Sequence, residues 1–112
     1  MDVTCVTRNG ITVLRADGDL DIATAAQFRR ALLPAVAAGD VAVDLDGCTW
    51  LDSSGLGVLV GARKAAAREG HVLALACSQS RWLRVLELTS LHRVFPVFPA
   101  ADDAVAALAG AS

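Results

Sequence analysis

Apolar residues fall into two patterns along this chain. Short apolar runs alternate with longer stretches in which apolar side chains return at helical spacing. Asp2–Arg8 and Ile11–Ala16 flank Asn9-Gly10, a pair in which both positions accept positive φ, so the chain opens as an antiparallel hairpin. Gly18-Asp19-Leu20-Asp21 reads as a polar loop. Thr24 and Gln27 then fit a T-x-x-Q capping box, with Phe28, Leu32 and Val36 at i, i+4 and i+8. This predicts a helix from about Ala25, stopped by Gly39. Pro34 lies inside it and predicts a kink or a loosened last turn, because proline removes a backbone bond and crowds the preceding turn.

Val41–Leu45 is a short strand, followed by Asp46–Leu51 and then by a helix from about Ser54 to Glu69. Val72–Ala76 is nearly all apolar, as expected of a strand covered on both faces. Ser80 is positioned to cap a helix to about Leu88, with Leu83, Val85 and Leu86 as its apolar set. Val94–Phe98 is a last strand, and Pro96 confines it to a sheet edge. Asp102-Asp103 leads a final helix, Ala104–Ala109, with acidic residues at the positive end of its dipole. The predicted order is ββαβαβαβα. The fold class is α/β, a mixed sheet that begins with an antiparallel hairpin and is otherwise largely parallel, with helices packed on it.

Length changes the picture little: 112 residues predict one domain over the whole chain, 1–112, with a radius of gyration of about 13 Å. Such a chain buries about 65% of its extended surface, enough for a core without staples. Twenty-two of the residues are alanine and only five are aromatic, which suits close-packed helices on a sheet better than a large aromatic pocket. Lys and Arg number 10 against 12 Asp and Glu, a net charge of −2, so nothing supports electrostatic nucleic-acid binding. No stretch free of charge exceeds Gly70–Ser80, too short to span a membrane, and the first residues lack the pattern of a secretory leader. Cys5, Cys48 and Cys77 show no CxxC spacing and read as buried thiols in a reducing compartment, with no metal site. The expectation is a small cytoplasmic domain.

Asp52-Ser53-Ser54-Gly55-Leu56-Gly57 is where chemistry is expected, at the passage from a loop into a helix. Spacing alone is satisfied by an ordinary N-cap, in which Asp or Ser accepts from the first free backbone N–H groups. A hydroxyl there has a second use, because the positive end of the dipole favours an added phosphate. Ser53 beside Asp52 is then a phosphoacceptor, and Asp19 and Asp21 share its acidic patch if the two loops meet at one sheet edge. Gly57, Gly61 and Ala65 form a small-residue stripe that predicts close approach of a neighbouring element.

Other residues carry less. His71 and His92 follow no metal or triad spacing, and neither Ser53 nor Ser54 stands in the G-x-S-x-G setting of a hydrolase elbow, so no catalytic residue and no cofactor are expected. A receiver domain would need its acidic residues on the first strand of a parallel sheet, whereas this first strand belongs to a hairpin. Arg29-Arg30, Arg63-Lys64 and Arg68 read as solvated helix faces, and Trp82, Phe95 and Phe98 as core. Leu56 and Val60 suit core packing and a partner contact equally.

The chain resembles the bacterial anti-sigma factor antagonists of the STAS domain class. The resemblance rests on Gly18-Asp19-Leu20-Asp21 followed by Thr24-Ala25, on Asp52-Ser53-Ser54-Gly55-Leu56-Gly57, and on Leu88-Thr89-Ser90-Leu91, and it covers about residues 3–109. It implies a STAS-like fold and a non-enzymatic switch. The unmodified protein would bind an anti-sigma factor that has serine kinase activity and carries the ATP, thereby releasing the sigma factor. Phosphorylation would end binding until a serine phosphatase reverses it. The matching acceptor is Ser53, with Ser54 as second choice. Asp19, Asp21, Asp52, Ser54, Gly55 and Leu56 would form the partner-binding set. Pro34, Cys48 and Trp50 depart from the family pattern without touching the acceptor. The other reading is a STAS module of a different signalling complex, or a small nucleotide or anion binder in which Ser53 is only a cap.

Overall fold

A computed structural model describes residues 1–110. Strands β1 (Asp2–Arg8) and β2 (Ile11–Leu20) form the expected hairpin, with Arg8 opposite Ile11. Asn9 and Gly10 both take positive φ (51° and 78°), the type I′ geometry that matches strand twist. Then follow α1 (Ala25–Ala38), β3 (Val41–Asp44), β4 (Cys48–Leu51), α2 (Ser53–Arg68), β5 (Leu73–Ala76), α3 (Ser80–Leu88), a 3₁₀ turn (Leu91–Arg93), β6 (Val97–Phe98) and α4 (Ala101–Gly110). The radius of gyration is 12.5 Å.

The sheet runs β1-β2-β3-β5-β6, antiparallel at the hairpin and parallel thereafter, so the mixed-sheet class holds. Its order has one strand more than expected, because Cys48–Leu51 is itself a strand. β2 uses two partners in succession: Thr12–Arg15 pairs with β3, and Gly18–Leu20 pairs with β4. The change of partner coincides with a register shift at Gly18/Asp19, where Gly18 takes φ 110°. The segment Gly18–Leu20, read from sequence as loop, is therefore strand.

Side-chain alternation sorts the core into two layers. Leu14, Ala16, Val41, Val43, Leu73 and Leu75 face one side, under Phe28, Leu32 and Val36 of α1, Val58, Leu59 and Ala62 of α2, and Trp82 and Leu86 of α3. Ile11, Val13, Ala42 and Ala74 face the other, under Ala104, Val105 and Leu108 of α4. Alanines at the two central positions of that second face let α4 lie close to the sheet. Burying one Leu- or Phe-sized side chain contributes about 1.5–3 kcal/mol, so the larger layer dominates stability.

Several local expectations fail for physical reasons. Thr24 and Gln27 make no capping box: the Thr24 side chain turns back to the Asp19 carbonyl, and Gln27 donates to the Met1 carbonyl at 3.0 Å. Gln79, not Ser80, precedes α3, and its amide donates to the carbonyls of Asp46 and Cys48. Pro34 sits on the exposed face of α1, which continues through it to Ala38. The last strand shrinks to two residues because Leu91–Arg93 coils into a 3₁₀ turn. α4 begins at Ala101, so Asp102 and Asp103 lie within its first turn. Gly57 and Gly61 face solvent with no atom near the place of a Cβ, so of the small-residue stripe only Ala65 packs against the core. Cys48 and Cys77 are buried as expected, but Cys5 on the edge strand β1 is exposed.

Candidate functional site

The pairing of β2 with β4 builds the site. Leu20 stands opposite Leu51, and the Asp52 N–H donates to the Leu20 carbonyl at 3.3 Å. That register sets Asp21, the next residue of one segment, level with Asp52, the next residue of the other. The two regions, 31 residues apart in sequence, thus end at the same edge of the sheet.

Asp52 is the N-cap of α2, in extended backbone. Its Oδ1 accepts from the N–H of Ser54 at 2.9 Å and of Gly55 at 3.3 Å. Ser53 follows as the first helical residue and is exposed, while Ser54 is half-buried. Gly55 is buried where the first turn of α2 rests on the end of β2. A Cβ there would lie 2.7 Å from Leu20 Cγ and 3.0 Å from both the Leu20 carbonyl oxygen and Leu51 Cδ1. Glycine therefore seats the helix, and with it Ser53, directly on the strand end. Leu56 and Val60 are half-buried and pack against the core, each leaving part of its surface to solvent.

Asp21 is held by its own turn. Its Oδ1 accepts from the N–H of Ala23 at 2.9 Å and of Thr24 at 3.2 Å. Asp19 is exposed on β2 and accepts from the Thr49 hydroxyl at 2.7 Å. Among the described residues no Arg or Lys forms an ion pair with Asp19, Asp21 or Asp52; the ion pairs join Arg8 to Asp102 and Arg15 to Asp17 and Asp44. This end of the sheet thus carries three carboxylates outside those ion pairs, an acidic rim on which Ser53 stands exposed beside Asp52.

Two apolar residues on this rim escaped the sequence reading. Ile22, next to Asp21, is 83% exposed, and Trp50, opposite Asp19, is 54% exposed. The Trp50 ring meets Trp82 edge-on at 6.4 Å, and the Arg81 guanidinium lies over Trp82 at 4.5 Å. Strand alternation gave no clue for Trp50, because β4 does not alternate: Thr49 and Trp50 are both exposed between buried Cys48 and Leu51. Ile22 gave a weak one, as a lone apolar residue between an acidic turn and a helix start. Below the rim, burial raises the Cys48 thiol above its ordinary value, and burial does the same for Cys77. Among the described residues no group of side chains could hold a metal ion, and no helix is long and apolar enough to cross a membrane.

The model of the STAS domain matches residues 2–104, nearly the whole described chain. The chain belongs to the STAS domain family. An anti-sigma-B factor antagonist of Bacillus subtilis is 29% identical over 89 residues, covering 79% of this chain and 82% of that protein. The crystal structure of an anti-sigma factor antagonist from Mycobacterium paratuberculosis superposes with a TM-score of 0.81 at 26% identity, over 96% of this chain and 92% of that one. The anti-sigma factor antagonist SpoIIAA has the same fold. Its unphosphorylated form gives a TM-score of 0.70 at 20% identity, over 93% of this chain and 92% of SpoIIAA. Its phosphorylated form gives 0.72 at 18%, over 93% and 96%.

Proposed function

We propose that this STAS domain is a cytoplasmic, non-enzymatic anti-sigma factor antagonist whose binding is switched by phosphorylation of Ser53. Unmodified, it captures an anti-sigma factor with serine kinase activity, and the sigma factor is released. The kinase supplies ATP, and this chain supplies the acceptor hydroxyl and the docking surface. A serine phosphatase restores the binding form. The relationship to the anti-sigma-B factor antagonist supports the antagonist role.

The observation that carries the switch is the placement of Ser53: exposed, first in its helix, beside a carboxylate that already occupies the next two N–H groups. A phosphate of about −1.5 to −2 charges there cannot simply replace water at the helix end, because Asp52 holds that position. It enlarges the acidic rim. Attraction to the helix dipole contributes roughly 0.3–1 kcal/mol to the folded chain. Against a carboxylate about 5 Å away, at an effective dielectric near 20, repulsion is about 5 kcal/mol before salt screening. In the free protein, water and side-chain motion relieve most of it; in a closed interface they do not. Since about 1.4 kcal/mol is tenfold in affinity, the modification acts on docking and spares the fold. Asp19, Asp21, Asp52, Ser54 and Leu56 form the docking rim, exposed Ile22 and Trp50 supply its apolar contacts, and Gly55, counted with the partner-binding set from sequence, is buried and acts only as the seat of the helix beneath it.

The test is incubation with a candidate anti-sigma kinase and ATP, read by intact mass, peptide mapping and binding. Phosphate on Ser53, loss of binding in the product and in Ser53→Asp, and persistent binding by Ser53→Ala are expected. Phosphate arriving in the Ser53→Ala variant would move the site, first to Ser54. A Ser53→Asp protein that melts early yet binds normally would refute the switch.

A further inference from the structure

The two edges of the sheet are built differently. β6 is two residues long and lies between Pro96 and Pro99, which discourages strand addition. β1 has seven residues, no proline, no lysine and an unbroken register with β2. Six of its seven residues are exposed.

The hairpin decides which backbone groups this edge offers. In a type I′ turn the Arg8 carbonyl accepts from the Ile11 N–H, so Arg8 and Ile11 are a hydrogen-bonded pair. Alternation then turns the polar groups of Arg8, Val6, Thr4 and Asp2 toward β2, and those of Thr7, Cys5 and Val3 outward. The outward residues are symmetric about Cys5. An antiparallel copy sets Cys5 against Cys5 and Val3 against Thr7, making roughly six backbone hydrogen bonds. In the same register Thr4 meets Val6, and Asp2 meets Arg8 at both ends. Arg8 donates through Nη1 to Asp102 and is about half exposed, leaving donors for a second carboxylate.

We propose that β1 is a self-association surface, pairing antiparallel with β1 of a second copy of this chain about a twofold axis at Cys5. The charge match of Asp2 with Arg8 selects this occupant and this register. Val6, 41% exposed in one copy, becomes covered. Two seven-residue strands bury less than the roughly 1,000 Å² of a stable interface, so the dimer is weak and reversible. The proposal stands apart from the reading of Ser53, whose site is built on β4 and the far end of β2.

Cross-linking the purified protein with a short bismaleimide tests it. Cys5 is the exposed thiol, and Cys48 and Cys77 are buried. The expected result is a Cys5-linked dimer. A mixture of Val3→Cys/Cys5→Ser with Thr7→Cys/Cys5→Ser should cross-link, whereas each alone should not, since like positions then stand about 14 Å apart. Thr7→Pro removes an outward N–H without touching a bond to β2 and should lower the yield about tenfold or more. Asp2→Lys, exposed and facing a partner arginine, should lower it as well and leaves the backbone intact should the proline variant melt early. Equal yields in wild type and Asp2→Lys, or self-linking of the Val3→Cys variant as efficient as the mixture, would overturn the proposal.

Discussion

Gly55→Ala and Gly57→Ala, two residues apart in α2, should change stability in opposite directions. Both glycines are helical, and neither requires positive φ, so the backbone accepts alanine at each. In an exposed helical position the exchange gains about 0.5–1 kcal/mol, because glycine loses more conformational freedom on folding. Gly57 has nothing within 4 Å of a new Cβ, so it should show that gain. At Gly55 the new methyl would meet Leu20 Cγ at 2.7 Å and the Leu20 carbonyl oxygen at 3.0 Å. That carbonyl is pinned by the Asp52 N–H, so relief requires moving the helix start. Overpacking of this kind costs roughly 1–3 kcal/mol, which outweighs the propensity gain and leaves a net loss of about 1–2 kcal/mol. For a domain of this size the melting temperature should fall by about 4–12 °C in Gly55→Ala and rise by about 2–6 °C in Gly57→Ala. Thermal unfolding followed by circular dichroism measures both. A Gly55→Ala protein as stable as Gly57→Ala would refute the claim that contact with β2 seats Ser53.

Three further outcomes test the site and its surroundings. Asp52→Ala should cost about 1 kcal/mol by leaving the Ser54 and Gly55 N–H groups uncapped, whereas Asp52→Asn should cost little, as equilibrium urea unfolding would show. Ile22→Glu should reduce affinity for the kinase partner at least about tenfold while its melting temperature stays within a few degrees, because the side chain is 83% exposed; calorimetric titration checks this. Burial raises the Cys48 and Cys77 thiols above 9.0, so the native state keeps these protons to higher pH than the unfolded chain. Their contribution to stability is complete below about pH 9 and is lost as pH rises through the native values. The chain has no tyrosine and a single lysine, so few other groups obscure this in urea melts across alkaline pH. Native protein should show one fast thiol toward a disulfide reagent, Cys5, and two that react only on unfolding.

Much of this molecule was legible from local pattern. Asn9-Gly10 dictates its hairpin because positive φ is a property of the residues themselves. The helices around Phe28, Leu32 and Val36, and around Val58, Leu59 and Ala62, follow from apolar spacing, since one face must be buried. Asp52 caps α2 because a carboxylate before a helix start finds free N–H groups within two or three residues. What the chain could not announce depends on partners distant in sequence. β4 is four residues of mixed character and becomes a strand only because β2 extends past its register shift to meet it. The same pairing carries Asp21 alongside Asp52 and leaves Trp50 facing outward. Thr24 carries the letters of a capping box, yet the Asp19 carbonyl, brought near by the end of β2, claims its hydroxyl. Backbone conformation and helical faces are thus written locally, whereas the edge of a sheet and the rim built on it arise only when separate segments compete for the same hydrogen bonds.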